Sequence, residues 1–131
     1  MYAEWLADGR GVYFPRVVGT GLMEFVAIRS LADLSPGAYG IAEPQGEPAD
    51  IREIDVFLVP GLGFDRHGVR IGFGGGFYDR ALARRREAAA KVPLFVGIGY
   101  SCQVLDTDLP ADEWDVRLDS VVTEAGVIQI S

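Results

Sequence analysis

The run Arg70-Ile71-Gly72-Phe73-Gly74-Gly75-Gly76-Phe77-Tyr78-Asp79-Arg80 gathers glycines, an acid and flanking arginines at a point where a strand gives way to a helix. Upstream, Asp55-Val56-Phe57-Leu58-Val59-Pro60 is short, apolar and rich in β-formers, and Pro60-Gly61 stops it, so it reads as a strand buried on both faces. From Tyr78 the composition turns to Asp79-Arg80-Ala81-Leu82-Ala83-Arg84-Arg85-Arg86-Glu87-Ala88-Ala89-Ala90-Lys91, whose alanines and arginines favour helix. Strand, glycine loop and helix in that order place the chain in the α/β class. Glycines at 72, 74, 75 and 76 allow positive φ and bring no Cβ, so successive amides can turn toward one anion. The helix N-terminus behind them favours negative charge.

Two readings of the loop stay open at this level, a tight turn without a ligand and an anion cradle. It lacks both the Gly-Lys-Ser/Thr ending of a P-loop and the third glycine of Gly-x-Gly-x-x-Gly. Its neighbours favour the cradle. Asp79 can hold a magnesium ion bridging phosphate oxygens, and Arg70 can balance their charge. Taken alone, Asp79 reads as a first-turn acid facing the helix dipole.

Further strand candidates are Gly11 to Val18, Met23 to Ile28, Leu94 to Gly99, Ser120 to Thr123 and Val127 to Ile130, the last two joined as a hairpin across Glu124-Ala125-Gly126. With the helix after the glycine loop they predict an α/β sandwich with a mostly parallel sheet, whose ligands bind beyond the carboxyl ends of its strands. A length of 131 residues, about half of them apolar, is expected to form one domain with one core over 1–131. Pro36-Gly37 and Glu43-Pro44-Gln45-Gly46-Glu47-Pro48 read as surface loops. Tyr2, Trp5 and Leu6 suggest a short helix ending near Gly9 with a packed face.

The net charge of −7 argues against nucleic acid as the main partner, although basic residues concentrate between Arg66 and Lys91 and acids between Asp106 and Glu124. No signal peptide or membrane span is apparent, so a cytoplasmic location is expected. A single cysteine excludes an intramolecular disulfide, and Cys102 is expected to be buried or half-buried. With one histidine beside it, a zinc site is not expected. His67 in Asp65-Arg66-His67-Gly68 reads as a turn between two strand-like pieces.

The stretch from Val59 to Arg80 resembles the central signature of the 5-formyltetrahydrofolate cyclo-ligase (methenyltetrahydrofolate synthetase) family. The likeness continues through Gly97-Ile98-Gly99-Tyr100, Gln103, Leu109-Pro110, Asp115-Val116-Arg117-Leu118-Asp119 and Val121-Val122-Thr123-Glu124, with Tyr13-Phe14-Pro15-Arg16-Val17-Val18-Gly19 and Gly40-Ile41-Ala42-Glu43-Pro44 upstream. Trp114 stands where members often have histidine, and Ser101-Cys102 departs from the commoner residues. Members usually carry a helical segment ahead of the region matching Tyr2 to Gly19, with basic residues that contact ATP and an acid that contacts the folate, so the chain is expected to be an N-terminally shortened member.

That resemblance implies a three-layer α/β sandwich of the sugar-isomerase and CoA-transferase-like kind, its site lying where the glycine loop and the Asp119 strand approach. It implies ATP- and Mg²⁺-dependent closure of 5-formyltetrahydrofolate to 5,10-methenyltetrahydrofolate, releasing ADP and phosphate. Phosphorylation of the formyl oxygen makes it a leaving group, and N10 then attacks the same carbon. Arg70 and Tyr78 are the implied catalytic positions. Arg70, Gly72, Phe73, Gly74, Gly75, Gly76, Phe77 and Tyr78 are implied to hold ATP phosphates and border the folate, and Asp79 and Asp119 to ligate magnesium. Tyr78 is expected to shape the site rather than transfer protons. Phe64, Phe73, Phe77 and Tyr100 are candidates for a pterin or adenine pocket and equally for the core. The expected partner is the small-molecule substrate, with no nucleic acid or membrane, in a monomer or weak homodimer. The alternative is a non-catalytic homologue that binds nucleotide or phosphate.

Overall fold

The computed structural model describes residues 2–19, 22–36, 42–72, 76–88, 91–111 and 115–130. It consists of two compact units, Met1–Glu53 and Ile54–Ser131.

The first unit begins with helix α1 (Tyr2–Ala7), followed by β1 (Val12–Gly19) and β2 (Leu22–Ile28), which pair antiparallel with Val12 opposite Ile28. Val12, Met23, Phe25, Val26 and Ile28 are buried. Arg16 and Glu24 face each other across the hairpin, Nε and Nη2 of the arginine donating to Oε1 of the glutamate at 3.1 and 2.6 Å. The remaining fork nitrogen, Nη1, reaches the Pro44 carbonyl at 3.4 Å. Pro44 ends β4 (Ala42–Pro44), which pairs with β3 (Leu34–Pro36). Pro36 and Glu43-Pro44, expected in loops, therefore lie in strands; three-residue strands are too short for a readable alternation. Gly37 and Gly40-Ile41 lie outside the described residues.

The second unit holds the strand, loop and helix from which the fold class was read. Strands β5 (Val56–Pro60), β8 (Leu94–Ile98), β9 (Ser120–Thr123) and β10 (Gly126–Gln129) form one sheet in the order β10-β9-β8-β5. The β5–β8 and β8–β9 pairs are parallel, and β9–β10 is the expected antiparallel hairpin. Between β5 and β8 lie the small ribbon of β6 (Gly63–Phe64) with β7 (Arg70–Ile71) and helix α2 (Phe77–Glu87).

β5 is not buried on both faces. Phe57 and Val59 point inward while Val56 is exposed, as suits a strand with one described neighbour. Phe57 meets its register partner Phe95 edge to face, with ring centroids 5.6 Å apart. Gly97 on β8 leaves space that Leu118 and Phe64 fill: a Cβ there would lie 2.8 Å from both.

α2 begins at Gly76, which adopts φ 69° as the N-cap, and its first backbone bond runs from Arg80 N–H to the Gly76 carbonyl at 3.1 Å. It stops at Glu87, short of the Lys91 expected from composition, because Ala88 has turned to an extended ψ of 141°. Arg85, with 0% of its surface exposed, enforces that end. Its Nε donates to the Ile54 carbonyl at 2.9 Å and its Nη2 to the Lys91 carbonyl at 2.8 Å, so its side chain holds the segment before β5 and the segment before β8. Lost helical propensity of a few tenths of a kcal/mol per residue is small beside two bonds from a buried guanidinium.

Asp65, 1% exposed, organises the turn between β6 and β7. One carboxylate oxygen accepts from the His67 and Val69 amides and the other from the Leu109 amide, each at 2.9 Å. Burial by itself would push this carboxyl up, but the amides of Leu109, Val69 and His67 outweigh it and hold the group below its ordinary value. His67 is the exposed turn residue expected, with Nε2 3.0 Å from Asp108 Oδ1. Gly68, at φ 86°, closes the turn.

Candidate active site

The carboxyl ends of β5 and β8 carry the polar side chains of interest. Pro60 and Ile98 are register partners at that end. Arg70 reaches it from β7, its side chain 5% exposed. The guanidinium Nη1 donates to the Pro60 carbonyl at 2.9 Å. Nη2 lies 3.6 Å from Asp79 Oδ1, and the guanidinium carbon lies 5.6 Å from the centre of the Tyr78 ring. A planar, delocalised cation suits these three tasks together.

Two glycines make room for it. A Cβ on Gly61 would lie 2.8 Å from Arg70 Cγ, and one on Gly72 would lie 3.0 Å from Arg70 Nη1. Gly72 thus serves by close approach and has no positive φ, whereas Gly76 is left-handed as expected. Phe73, Gly74 and Gly75 in the loop, and Trp114 farther on, lie outside the described residues. At the start of α2 the glycine N-cap offers no side-chain oxygen, and among the described residues no side-chain cap holds the first helical amides, a geometry suited to an anion.

Phe77 and Tyr78 occupy that first turn, both half-buried. Burial raises the Tyr78 phenol above its ordinary value, with the Arg70 charge pulling the other way. A phenol that is neutral at neutral pH can line the site and serve as a hydrogen-bond donor or acceptor there.

The structure does not bring Asp79 and Asp119 to the same end of the sheet. Asp79 stands with Arg70 at the carboxyl end of β5. Asp119 precedes β9 and is bound to Phe95, near the amino end of β8. Its Oδ2 accepts the Phe95 amide at 2.8 Å, and its own amide donates to the Phe95 carbonyl at 2.8 Å. The strand from Phe95 to Ile98 spans roughly 10 Å at the usual rise. Among the described residues, no three His, Cys, Asp or Glu side chains gather to hold a metal. A shared two-carboxylate magnesium site of Asp79 and Asp119 does not fit this arrangement, while Asp79 alone offers one hard oxygen donor at the carboxyl end of β5.

Phe64 is fully buried against Gly97 and Gly99, which makes it core rather than pocket wall. Tyr100 is 69% exposed at the end of β8. Cys102, expected to be buried or half-buried, is exposed on the short 3₁₀ turn Ser101–Gln103. Ser101 is tied to the β9–β10 turn, its amide and hydroxyl each donating to Glu124 at 2.7 Å. Gln103 was not singled out as a site residue from sequence. Its Oε1 accepts the Tyr100 amide at 2.7 Å, and its Nε2 donates to the carbonyls of Gly61 and Leu62 at 3.2 and 3.3 Å. The signal available was spacing, since a glutamine three residues past the start of a helical turn reaches back to that residue's amide.

The sequence pattern of the 5-formyltetrahydrofolate cyclo-ligase family matches residues 1–124. The mitochondrial 5-formyltetrahydrofolate cyclo-ligase of Arabidopsis thaliana is 38% identical over 139 residues, covering 100% of this chain and 49% of the relative. The Escherichia coli K12 5-formyltetrahydrofolate cyclo-ligase is 34% identical over 94% of this chain and 68% of its own length. Among solved structures, the Aquifex aeolicus 5,10-methenyltetrahydrofolate synthetase, determined by NMR, superposes with a TM-score of 0.79 at 39% identity, over 98% of this chain and 62% of that one. A 5,10-methenyltetrahydrofolate synthetase from Mycoplasma pneumoniae gives 0.67 at 26% identity over 99% and 62%. The chain spans about half of the plant relative's length and about two thirds of the bacterial ones.

Proposed function

We propose, from the premise that this chain belongs to the 5-formyltetrahydrofolate cyclo-ligase family, that it takes part in the ATP-dependent closure of 5-formyltetrahydrofolate to 5,10-methenyltetrahydrofolate, releasing ADP and phosphate. The observation that carries this reading is Arg70, laid between the Pro60 carbonyl, Tyr78 and Asp79 beside the glycine-capped start of α2. That cluster suits a phosphate: a fixed guanidinium, free helical amides and a carboxylate able to meet the magnesium that accompanies ATP.

The chemical problem is an amide-like formyl oxygen, a poor leaving group. Transfer of the γ-phosphoryl group to that oxygen breaks the bond to ADP and forms a phosphorylated imidate-like centre. N10 then attacks the formyl carbon, phosphate departs with the oxygen, and the N10 proton is released. Arg70 and the first amides of α2 hold the phosphate and offset charge as it moves between oxygens. Gly72 leaves room for the Arg70 guanidinium, and Gly76, left-handed, turns the chain into α2. Tyr78 borders the reacting groups as a neutral ring.

The finer architecture, the sugar-isomerase and CoA-transferase-like three-layer sandwich, is proposed from the parallel β5–β8–β9 pairing with α2 between β5 and β8, and the family match over residues 1–124, which runs across both units, supports reading 1–131 as one functional domain. ATP as phosphoryl donor, magnesium as its companion ion, and a folate substrate are parts of the same proposal. Among the described residues, no helix is long and apolar enough to cross a membrane. Nothing in the relatives or the geometry favours the binding-only alternative.

The test is formation of 5,10-methenyltetrahydrofolate, followed by its near-ultraviolet absorbance, with purified protein, Mg-ATP and 5-formyltetrahydrofolate. Turnover lost in Asp79→Ala is expected. Wild-type protein that binds Mg-ATP without forming product would replace this reading with the binding-only one.

A further inference from the structure

Three successive carbonyls leave the carboxyl end of β5, those of Pro60, Gly61 and Leu62. The first accepts from Arg70 and the next two from Gln103. Uncapped carbonyl oxygens at the mouth of a phosphate site would oppose an anion, and side-chain donors remove that opposition. Both donors sit in spaces kept clear by glycine. Arg70 occupies what a Cβ on Gly61 would fill, and Gln103 Oε1 lies 2.8 Å from the Cβ position of Gly99. The glutamine is therefore wedged between the ends of two neighbouring parallel strands, with its donor toward β5 and its acceptor holding the Tyr100 amide after β8. The Phe64 carbonyl, accepting from the Leu105 amide at 2.7 Å, ties the following segment to the same ribbon.

We propose that Gln103 is a positioning residue for the phosphate end of the site: it caps the Gly61 and Leu62 carbonyls, fixes the loop against which Arg70 rests, and sets Tyr100 at the mouth. This inference rests on the phosphoryl-transfer reading. The role requires a donor on one side of the carboxamide and an acceptor on the other. Only a side chain with both faces satisfies it, so the size of residue 103 alone does not suffice.

The distinguishing variant is Gln103→Glu, which keeps shape and the acceptor for Tyr100 but turns an acceptor onto two carbonyls. When its carboxyl is protonated the donor returns. The charged groups around it are Arg70 on β7 and Glu124 on the β9–β10 turn, which are the same in wild type and variant, so the wild-type pH profile is the reference. Gln103→Met, similar in length with no polar head, is the second variant. Calorimetric affinity for Mg-ATP is measured from about pH 8 to about pH 4, so that the range spans the ordinary glutamate value of about 4.3, beside turnover and thermal melting.

We expect the glutamate variant to bind Mg-ATP about tenfold more weakly at the alkaline end and to recover toward wild type as pH falls, the loss of one net hydrogen bond being worth about that factor. The methionine variant should be weaker by about the same factor at every pH. Losses in the two variants with the same pH dependence, or unchanged affinity in both, would overturn the inference. If the glutamate variant does not fold, the methionine variant decides: unchanged Mg-ATP affinity overturns the inference and a pH-independent loss supports it. Wild-type binding without turnover would remove the cyclo-ligase reading and leave the affinity arm standing, whereas wild-type protein with no affinity for Mg-ATP removes both.

Discussion

The guanidinium of Arg70 stacks 5.6 Å from the centre of the Tyr78 ring while also bonding the Pro60 carbonyl, so one cation joins the end of β5 to the first turn of α2. Lysine can reach one of these partners but cannot stack and fork at once. Arg70→Lys is expected to lower kcat/KM for Mg-ATP by about 10- to 100-fold, on the order of two lost contacts at up to about 1.5 kcal/mol each. Steady-state rates with varied Mg-ATP would check this, and a melting temperature within a few degrees of wild type would locate the loss in the site.

Tyr78 is buried enough that its phenol stays protonated well above neutral pH. Removing the hydroxyl should therefore cost a few-fold in rate at most and leave the alkaline limb of the pH–rate profile where it was. A rate abolished in folded Tyr78→Phe would mean that the hydroxyl itself takes part in proton transfer.

Asp79 and Asp119 should separate experimentally as they do in the sheet. Asp79→Asn is expected to shift the magnesium dependence of turnover to higher concentration. Asp119→Asn can still accept the Phe95 amide and should leave that dependence unchanged, while Asp119→Ala should lower stability by about 1–2 kcal/mol through the orphaned amide. Magnesium titrations of the three variants, with chemical denaturation alongside, distinguish a phosphate-end ligand from a backbone staple.

Asp65 makes acid sensitivity predictable in sign. Its folded value lies below the ordinary one, so its contribution is fully present above the unfolded carboxyl value of about 3.9 and is lost as pH falls through the folded value. Asp65→Asn should flatten the decline of unfolding free energy below about pH 4, and Asp65→Ala should cost about 2–4 kcal/mol at neutral pH by leaving three amides unpartnered. Urea denaturation across the acid range up to neutral pH supplies the comparison.

Glycine replacements should rank by what surrounds each one. Gly68→Ala combines φ 86° with a Cβ 2.6 Å from the Leu118 carbonyl oxygen, and backbone cannot yield cheaply. Gly97→Ala forces a methyl against Leu118 and Phe64 at ordinary φ, an overpacking cost of about 1–3 kcal/mol. Gly126→Ala meets open space but sits at φ 130°, beyond the left-handed helical region, so it carries backbone strain of about 1–3 kcal/mol. Gly68→Ala, which alone carries both penalties, is expected to have the lowest melting temperature of the three.

The sheet of the second unit was legible because its strands are either continuous apolar runs, as in Leu94 to Ile98, or a hairpin marked by Glu124-Ala125-Gly126. The β6–β7 ribbon was legible only as a turn at Asp65-Arg66-His67-Gly68 between two strand-like pieces: what Asp65 binds there, and its reach to the Leu109 amide, leave no local pattern. The glycine loop suggested an anion site through composition, with a ligand-free turn as the other reading, and Arg70 entered from its position beside it. Gln103 and the separation of Asp119 from Asp79 depend on which ends of parallel strands coincide, a register that pairs residues far apart along the chain, such as Val56 with Leu94, and has no signature in either segment.

The strand order of the sheet also has a temporal side. The β9–β10 hairpin pairs neighbours in sequence and can form early, but β8 must find β5 across a closure of roughly thirty residues, whose entropic cost rises only as the logarithm of length yet precedes any reward. That closing loop contains Arg70, the glycines and α2. The residues proposed to bind the phosphate are thus the same ones whose stiffness governs how fast the chain reaches its native pairing, and substitutions that rigidify the loop should register in refolding rate as well as in turnover.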